Sequence, residues 1–288
     1  LNLIRLAEYG RDKNIPVVSP FTPCNELLRY NPFLIQLFPS REVEFKKWAD
    51  YLVDYYDETI ILVCNGDPAE LDQINYLKQE MLERLAYQTF LSEVSLKEVI
   101  INDNTTFDIA HILTQDNRNI VVIPSDNEAY VGNILTSMYF LSKEYEIRIF
   151  GLPNWPKFKS IDLEYFHELD VHYYTSFYVD YTRTDVMKFI RTYREVFQTE
   201  PYHVTPRGYN LSLYGYDIFN YFCTVVSEYG TSFVFQDVRP DYIPLLGPYD
   251  LHRNRKYDGL MNHHIDLIHF MKNFDIEVVP EPESNEYQ

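Results

Sequence analysis

Four short polar segments in this chain hold the residue types that bind small molecules, and each follows an apolar, β-rich run. They are Ser19-Pro-Phe-Thr22, Asn65-Gly-Asp67, Pro124-Ser-Asp-Asn127 and Gly151-Leu-Pro-Asn-Trp155. The hydroxyls of Ser19, Thr22 and Ser125, the amides of Asn65 and Asn127 and the carboxylates of Asp67 and Asp126 offer donors and acceptors for a polar ligand. Trp155, on a loop after a strand, offers an indole face for stacking. Each of these has a bland alternative. Asn, Asp and Ser at such places also form turns and cap helices, and a large aromatic also fills an interface.

Other tempting residues do not assemble into chemistry. His263, His264, Asp266 and His269 resemble a metal set, but on an alternating strand His263 and His269 stand roughly 20 Å apart and His264 faces the other way. Cys24 lies on one of the polar loops with no base identifiable beside it, so an inert thiol is expected. No Gly-x-Ser-x-Gly elbow, phosphate loop or Gly-x-Gly-x-x-Gly occurs, and with nine glycines phosphate-cradling loops are poorly supplied. No catalytic residue, metal or cofactor is expected.

Charge narrows the partners. With 25 basic against 43 acidic residues the formal net charge is −18, which excludes a nucleic-acid partner, because neutralising phosphates needs a basic face. It also opposes docking on anionic lipid. No apolar run reaches the length of a membrane span, so no insertion is expected. Cys24, Cys64 and Cys223 match no zinc spacing and are expected unpaired, Cys64 buried at a strand end and Cys223 on the inner face of a helix. The 26 tyrosines, such as Tyr51, Tyr55 and Tyr56, read mostly as half-buried packing. Residues 280–288 read as a flexible tail. The chain opens in the middle of an amphipathic pattern, Leu1-Asn-Leu-Ile-Arg-Leu-Ala, and is read as cut from something longer.

The elements that position the four loops alternate. Strands are expected at 15–19, 33–38, 59–64, 98–101, 119–123, 146–150 and 171–177, and helices at about 41–56 (capped by Ser40), 69–86, 105–114, 127–142, 183–197 and 209–229. Residues 260–279 read as a β-hairpin. Strand–helix alternation implies α/β architecture with mainly parallel sheets, whose ligands bind at the carboxyl ends of the strands, where the four loops lie.

Several stretches in order resemble the type I periplasmic binding proteins, in particular their leucine/isoleucine/valine-binding branch. They are Ile15-Pro-Val-Val-Ser-Pro20, Asn25-Glu-Leu27, Phe33-Leu-Ile-Gln-Leu-Phe-Pro-Ser40, Ile60-Ile-Leu-Val63, Ile149-Phe-Gly-Leu-Pro-Asn-Trp155, and Phe189, Tyr193, Phe197 and Pro201 followed by Gly215-Tyr-Asp217. The chain also looks like the variants that Bacteroidota fuse behind a peptidoglycan-binding LysM module. The resemblance implies two Rossmann-like lobes with the chain crossing between them. Residues 1–37 with 172–258 would form an incomplete first lobe, and 38–171 with 259–279 the second. In the first lobe, the strand at 15–19 would be flanked by those near 33–38 and 171–177.

The same resemblance implies a non-enzymatic protein of the periplasm or cell envelope. It would hold a small polar ligand in the inter-lobe cleft and serve an ABC-type transporter, or peptidoglycan through a further module. The family's ligand-carboxylate loop falls on Phe21-Thr-Pro-Cys24, where Pro23 lacks a donor. Its second-lobe tyrosine falls near Pro68 and Ala69, and its ammonium-binding acid near Pro153. These departures imply a ligand other than free leucine, isoleucine or valine. A ligand-free scaffold and, further off, an α/β hydrolase or transferase are the alternatives.

Overall fold

The computed structural model describes residues 2–21, 23–54, 60–88, 96–101, 109–201 and 210–280. In chain order the elements begin α1 (Asn2–Lys13), β1 (Val17–Ser19), α2 (Asn25–Leu28), β2 (Leu34–Gln36), α3 (Arg41–Asp54), β3 (Ile60–Cys64), α4 (Pro68–Gln88) and β4 (Leu96–Ile100). They continue β5 (Asn119–Val122), α5 (Glu128–Leu141), β6 (Ile147–Gly151), α6 (Leu163–Glu168), β7 (Val171–Thr175), α7 (Thr184–Phe197) and α8 (Leu211–Tyr229). Four strands close the chain, β8 (Leu251–His252), β9 (Leu260–Asn262), β10 (Asp266–Phe270) and β11 (Ile276–Val279). The chain divides into two compact units, Leu1–Glu44 with Ser176–Ile265 and Phe45–Thr175 with Asp266–Gln288.

The second unit is built on a seven-stranded sheet in the order β11-β10-β7-β6-β5-β3-β4. Strands β4, β3, β5, β6 and β7 run parallel, and the near-continuous apolar runs of β3 and β5 suit strands covered on both faces. Every residue of β3 and β5 is buried. Helix α3 lays Trp48 on Tyr174 at 5.2 Å, and α6 lays Phe166 on Phe270 at 5.3 Å. Ser40 begins α3, its hydroxyl accepting from the amide of Val43 at 3.3 Å.

The first unit carries a four-stranded sheet, β1-β2-β9-β8, with β1 and β2 parallel and β2 and β9 parallel. Its core gathers Phe33, Ile35, Leu37, Tyr221, Val225 and Phe233, and a second cluster joins Phe38, Phe177, Leu213, Tyr214 and Leu246. Asp217, with no exposed surface, accepts from Tyr242 Oη at 2.7 Å and from the amides of Leu245 and Leu246 at 2.8 Å each. Burial pushes its carboxyl up, and these donors pull it back only in part.

Several expectations need correction. The hairpin spans only β10 and β11, because β9 pairs with β2 in the first unit's sheet. Residues 260–262 therefore belong with the first unit rather than the second. Conversely β7 pairs with β6 and β10 in the second unit's sheet, so 172–175 belong there. Strand β1 has β2 as its sheet neighbour and, among the described residues, stands at the edge. Alternation along a strand reports which faces are apolar and is silent about the partner, which is why three strands were misassigned. Over 109–112 the chain makes a 3₁₀ turn, the rest of the helix expected at 105–114 lying partly outside the described residues. The cysteines are unpaired and Cys64 is buried, but Cys223 is exposed.

Candidate functional site

The carboxyl ends of β3, β5 and β6 bring three of the four polar loops into one cluster within the second unit. After β3, Asn65 Oδ1 accepts from the amide of Asp67 at 2.7 Å, an Asx turn. Gly66 between them has φ +75°, a conformation that favours glycine, and a Cβ there would meet Ile100 at 3.1 Å. The turn starts α4 and sets Glu70 on its first turn. After β5, the hydroxyl of Ser125 donates to Glu70 Oε1 at 3.0 Å and accepts from the amide of Asn127 at 3.2 Å. Asn127 caps α5, its Oδ1 accepting from Tyr130 N at 3.2 Å.

The third loop is locked from beneath. Gly151 ends β6 with the Trp155 ring lying on its backbone, so that a Cβ at 151 would stand 2.3 Å from the ring. The indole Nε1 donates to the Ser125 carbonyl at 2.9 Å, and Phe166 packs on the ring at 6.3 Å. Asn154 donates to Asp126 Oδ1 at 3.2 Å and accepts from Lys157 Nζ at 3.0 Å. Glu128 ties the far end of this loop to α5, accepting from the amides of Lys159 and Ser160 at 2.7 Å each.

Exposure separates these residues by role. Asp67, Asp126 and Asn127 face solvent and Asn65 and Glu70 are half-buried. Ser125 is 2% exposed with both capacities of its hydroxyl taken, and Trp155 is 0% exposed. The expectation that Trp155 offers a stacking face is corrected: a side chain packed between Gly151 and Phe166 has no face left. Ser125 likewise organises the loop from inside rather than presenting its hydroxyl.

Glu70 is the residue that reasoning from sequence missed. Its Oε2 is buried and has no hydrogen-bond partner. Burial raises its pKa most, and the charges of Asp67 and Asp126 raise it further, against hydrogen bonds from Ser125 and Asn65. Its position on the first turn of α4, three residues after Asp67, reads as an ordinary helix start, so nothing in the sequence marks it.

In the first unit the loop after β1 is arranged by Gln36, which has no exposed surface. Its Oε1 accepts from Cys24 N at 2.6 Å, and its Nε2 donates to Phe38 O at 2.6 Å and Asn25 Oδ1 at 3.2 Å. Tyr214 Oη donates to Pro20 O at 2.6 Å. Ser19 is 3% exposed and bonds the Cys24 thiol, whose pKa burial raises, so Ser19 too faces inward. Thr22 lies outside the described residues. Among the described residues no cluster of three or more His, Cys, Asp or Glu suits a metal ion.

The geometry has counterparts among solved structures. A protein from Rhodospirillum rubrum, ascribed to branched-chain amino acid ABC transport, superposes with a TM-score of 0.61 at 11% identity, over 94% of this chain and 74% of its own. An ABC transporter substrate-binding protein from Desulfitobacterium hafniense, in complex with leucine, gives 0.56 at 13% identity, over 96% and 76%. A branched-chain amino acid ABC transporter protein from Thermus thermophilus with bound valine gives 0.54 at 12%, over 97% and 75%. The chain has the type I periplasmic binding protein fold. No protein-family model matches the sequence, and no characterised protein matches it by sequence. In this fold the clustered loops of the second unit sit at strand ends of the parallel sheet, the ordinary place for a ligand in open α/β sheets. Among the described residues no helix is long and apolar enough to cross a membrane.

Proposed function

We propose that this chain is a non-enzymatic solute-binding protein of the periplasm or cell envelope. It captures a small polar ligand, amino-acid-like or cell-wall-derived, and serves an ABC-type transporter. The support is the fold, together with one observation: Glu70 presents a buried carboxylate oxygen without a partner, between Asn65 and Ser125 and beside Asp67 and Asp126. Such a cluster favours a ligand bearing an ammonium group, because a half-desolvated carboxylate gains most from an opposite charge. Asn65, Asp67, Asp126 and Asn127 supply the surrounding polar contacts.

The leucine and valine bound by the D. hafniense and T. thermophilus proteins are not the ligands proposed here. Pro23 withholds a backbone donor, and proline stands at 153 where the family's acid would be. A panel of free amino acids, diamino acids, sugars and muropeptides, read by thermal shift and then calorimetry, tests this. An ammonium-bearing ligand should raise Tm, and Glu70→Gln should weaken it by about ten- to a hundred-fold, the scale of a partly desolvated charge pair. Sub-micromolar binding of leucine, isoleucine or valine would refute the exclusion of those ligands. A second reading, a ligand-free scaffold, is favoured by the inward turn of Ser19, Ser125 and Trp155, and a panel in which nothing shifts Tm would select it.

A further inference from the structure

A row of four side chains crosses the edge half of the second unit's sheet. Phe150 on β6, His172 on β7, His269 on β10 and Glu277 on β11 are successive cross-strand partners in the ladder register. They share one face. The His172 ring stacks on Phe150 at 4.7 Å and on His269 at 4.0 Å with planes only 13° apart. Beside the row stands Asp170, in the turn before β7 with φ +53°, a left-handed conformation that Asp tolerates better than most residues. Its Oδ2 accepts from Arg148 Nε at 2.5 Å, its Oδ1 meets His269 Nε2, and its backbone carbonyl accepts from His172 Nδ1 at 2.8 Å. The other nitrogen of His269 faces Glu277 Oε1 at 3.2 Å.

The two imidazoles have opposite surroundings. Both nitrogens of His269 face carboxylates, so the ring donates to both only when it carries both protons. His172 is 2% exposed and faces one carbonyl, two aromatic planes and the guanidinium of Arg148. A charge on His172 would lie 4.0 Å from the His269 ring, and the one carboxylate that would favour it, Asp170, is already engaged by Arg148 and His269. Burial first, then His269 and Arg148, push His172 down to about 3. Burial alone would raise Asp170, but His269 and Arg148 outweigh it and hold the carboxylate well below its usual range.

We propose that the stacked His172–His269 pair is an acid-sensitive latch on the C-terminal hairpin, β10 and β11. The two rings join that hairpin to β7, the last strand of the parallel set, and the latch is closed only while His172 is neutral. When the hairpin opens, His172 meets water and takes a proton near its ordinary pKa of about 6.5. Acid therefore favours the open form. The sign follows from linkage: the closed state binds fewer protons than the open one between pH 6.5 and about 3, so closure weakens as pH falls through that window. Strand β11 is at the sheet edge and exposed along most of its length, so β7 alone ties β10 to the rest of the sheet, and the hairpin comes away as one piece.

Hydrogen exchange, corrected for intrinsic rates, tests the latch on the whole chain. Between pH 7.5 and pH 5 the protection of amides in 267–270 and 276–279 should fall about thirty-fold, the change expected for one group moving between pKa values of about 6.5 and 3. Amides of 60–64 and 120–122 should change less than three-fold. His172→Phe keeps the ring stack without the titration, and His172→Asn keeps the donor to the Asp170 carbonyl. Both should leave β10 and β11 with a pH response below about three-fold while remaining protected at pH 7.5. A wild-type response spread evenly over β3, β5 and the hairpin would overturn the latch in favour of general acid destabilisation. So would an undiminished hairpin response in both variants, or no hairpin response in the wild type.

Discussion

The two units are built from the same alternation of strand and helix, yet they use it differently. The second encloses its central strands: all of β3 and β5 are buried, and helices cover both faces. The first has a short sheet of four strands with β1, three residues long, at an edge. Beside β1 an open apolar groove of about 550 Å³ is lined by Val18, Ile218, Phe219, Phe222, Cys223 and Val226, with Phe219 69% exposed. A parallel sheet enclosed on both faces draws its stability from apolar burial. The first unit relies more on single polar pins, Asp217, Gln36 and Tyr214, each holding a loop from inside. Wherever stability rests on one buried carboxylate or amide, one substitution undoes it.

That contrast can be broken from either side. The largest effect belongs to Gly151→Val, which would drive a side chain into the Trp155 ring, whose atoms already lie 2.3–2.6 Å from a Cβ there. It should cost the second unit about 3 kcal/mol or more, seen as faster amide exchange at 60–64 and 120–122. Next comes Asp217→Ala, which strands Tyr242 Oη and two buried amides. A loss of about 2–4 kcal/mol is expected, confined to amides of the first unit. Equal loss of protection in both units, for either variant, would show that they do not hold separate stabilities. In the unmutated chain, amides of 17–19 should exchange faster than those of 60–64, and equal protection would remove the distinction drawn at the β1 edge.

The smallest effect is chemical. A thiol reagent should modify Cys223 first, Cys24 more slowly, and Cys64 only on unfolding, because burial, then the charge of Glu98, push the Cys64 thiol up to about 12. Modification of Cys223 should leave Tm unchanged within about 0.5 kcal/mol of stability, as at an exposed position. Fast labelling of Cys64 in the folded chain would mean that the end of β3 is open.

Much of this molecule was legible in the residues alone. The apolar runs at 59–64, 119–123 and 146–150 could be buried only in a covered parallel sheet, and that placed Asn65, Asp67, Asp126 and Asn127 on loops at one end of it. Periodicity carries that much because it is a local property of the chain. Partnership is not local. Whether β9 joins β2 or β10, and whether β7 closes one sheet or the other, depends on contacts between residues far apart in sequence, and an alternating strand satisfies either. The same limit hid Glu70, an unremarked acid on a first helical turn until Ser125, 55 residues on, donates to it. It also misread Trp155, since only packing against Gly151 and Phe166 decides that a loop indole is core. The row of Phe150, His172, His269 and Glu277 exists nowhere in the sequence: four strands in register create it, because a sheet sets side by side what the chain keeps apart.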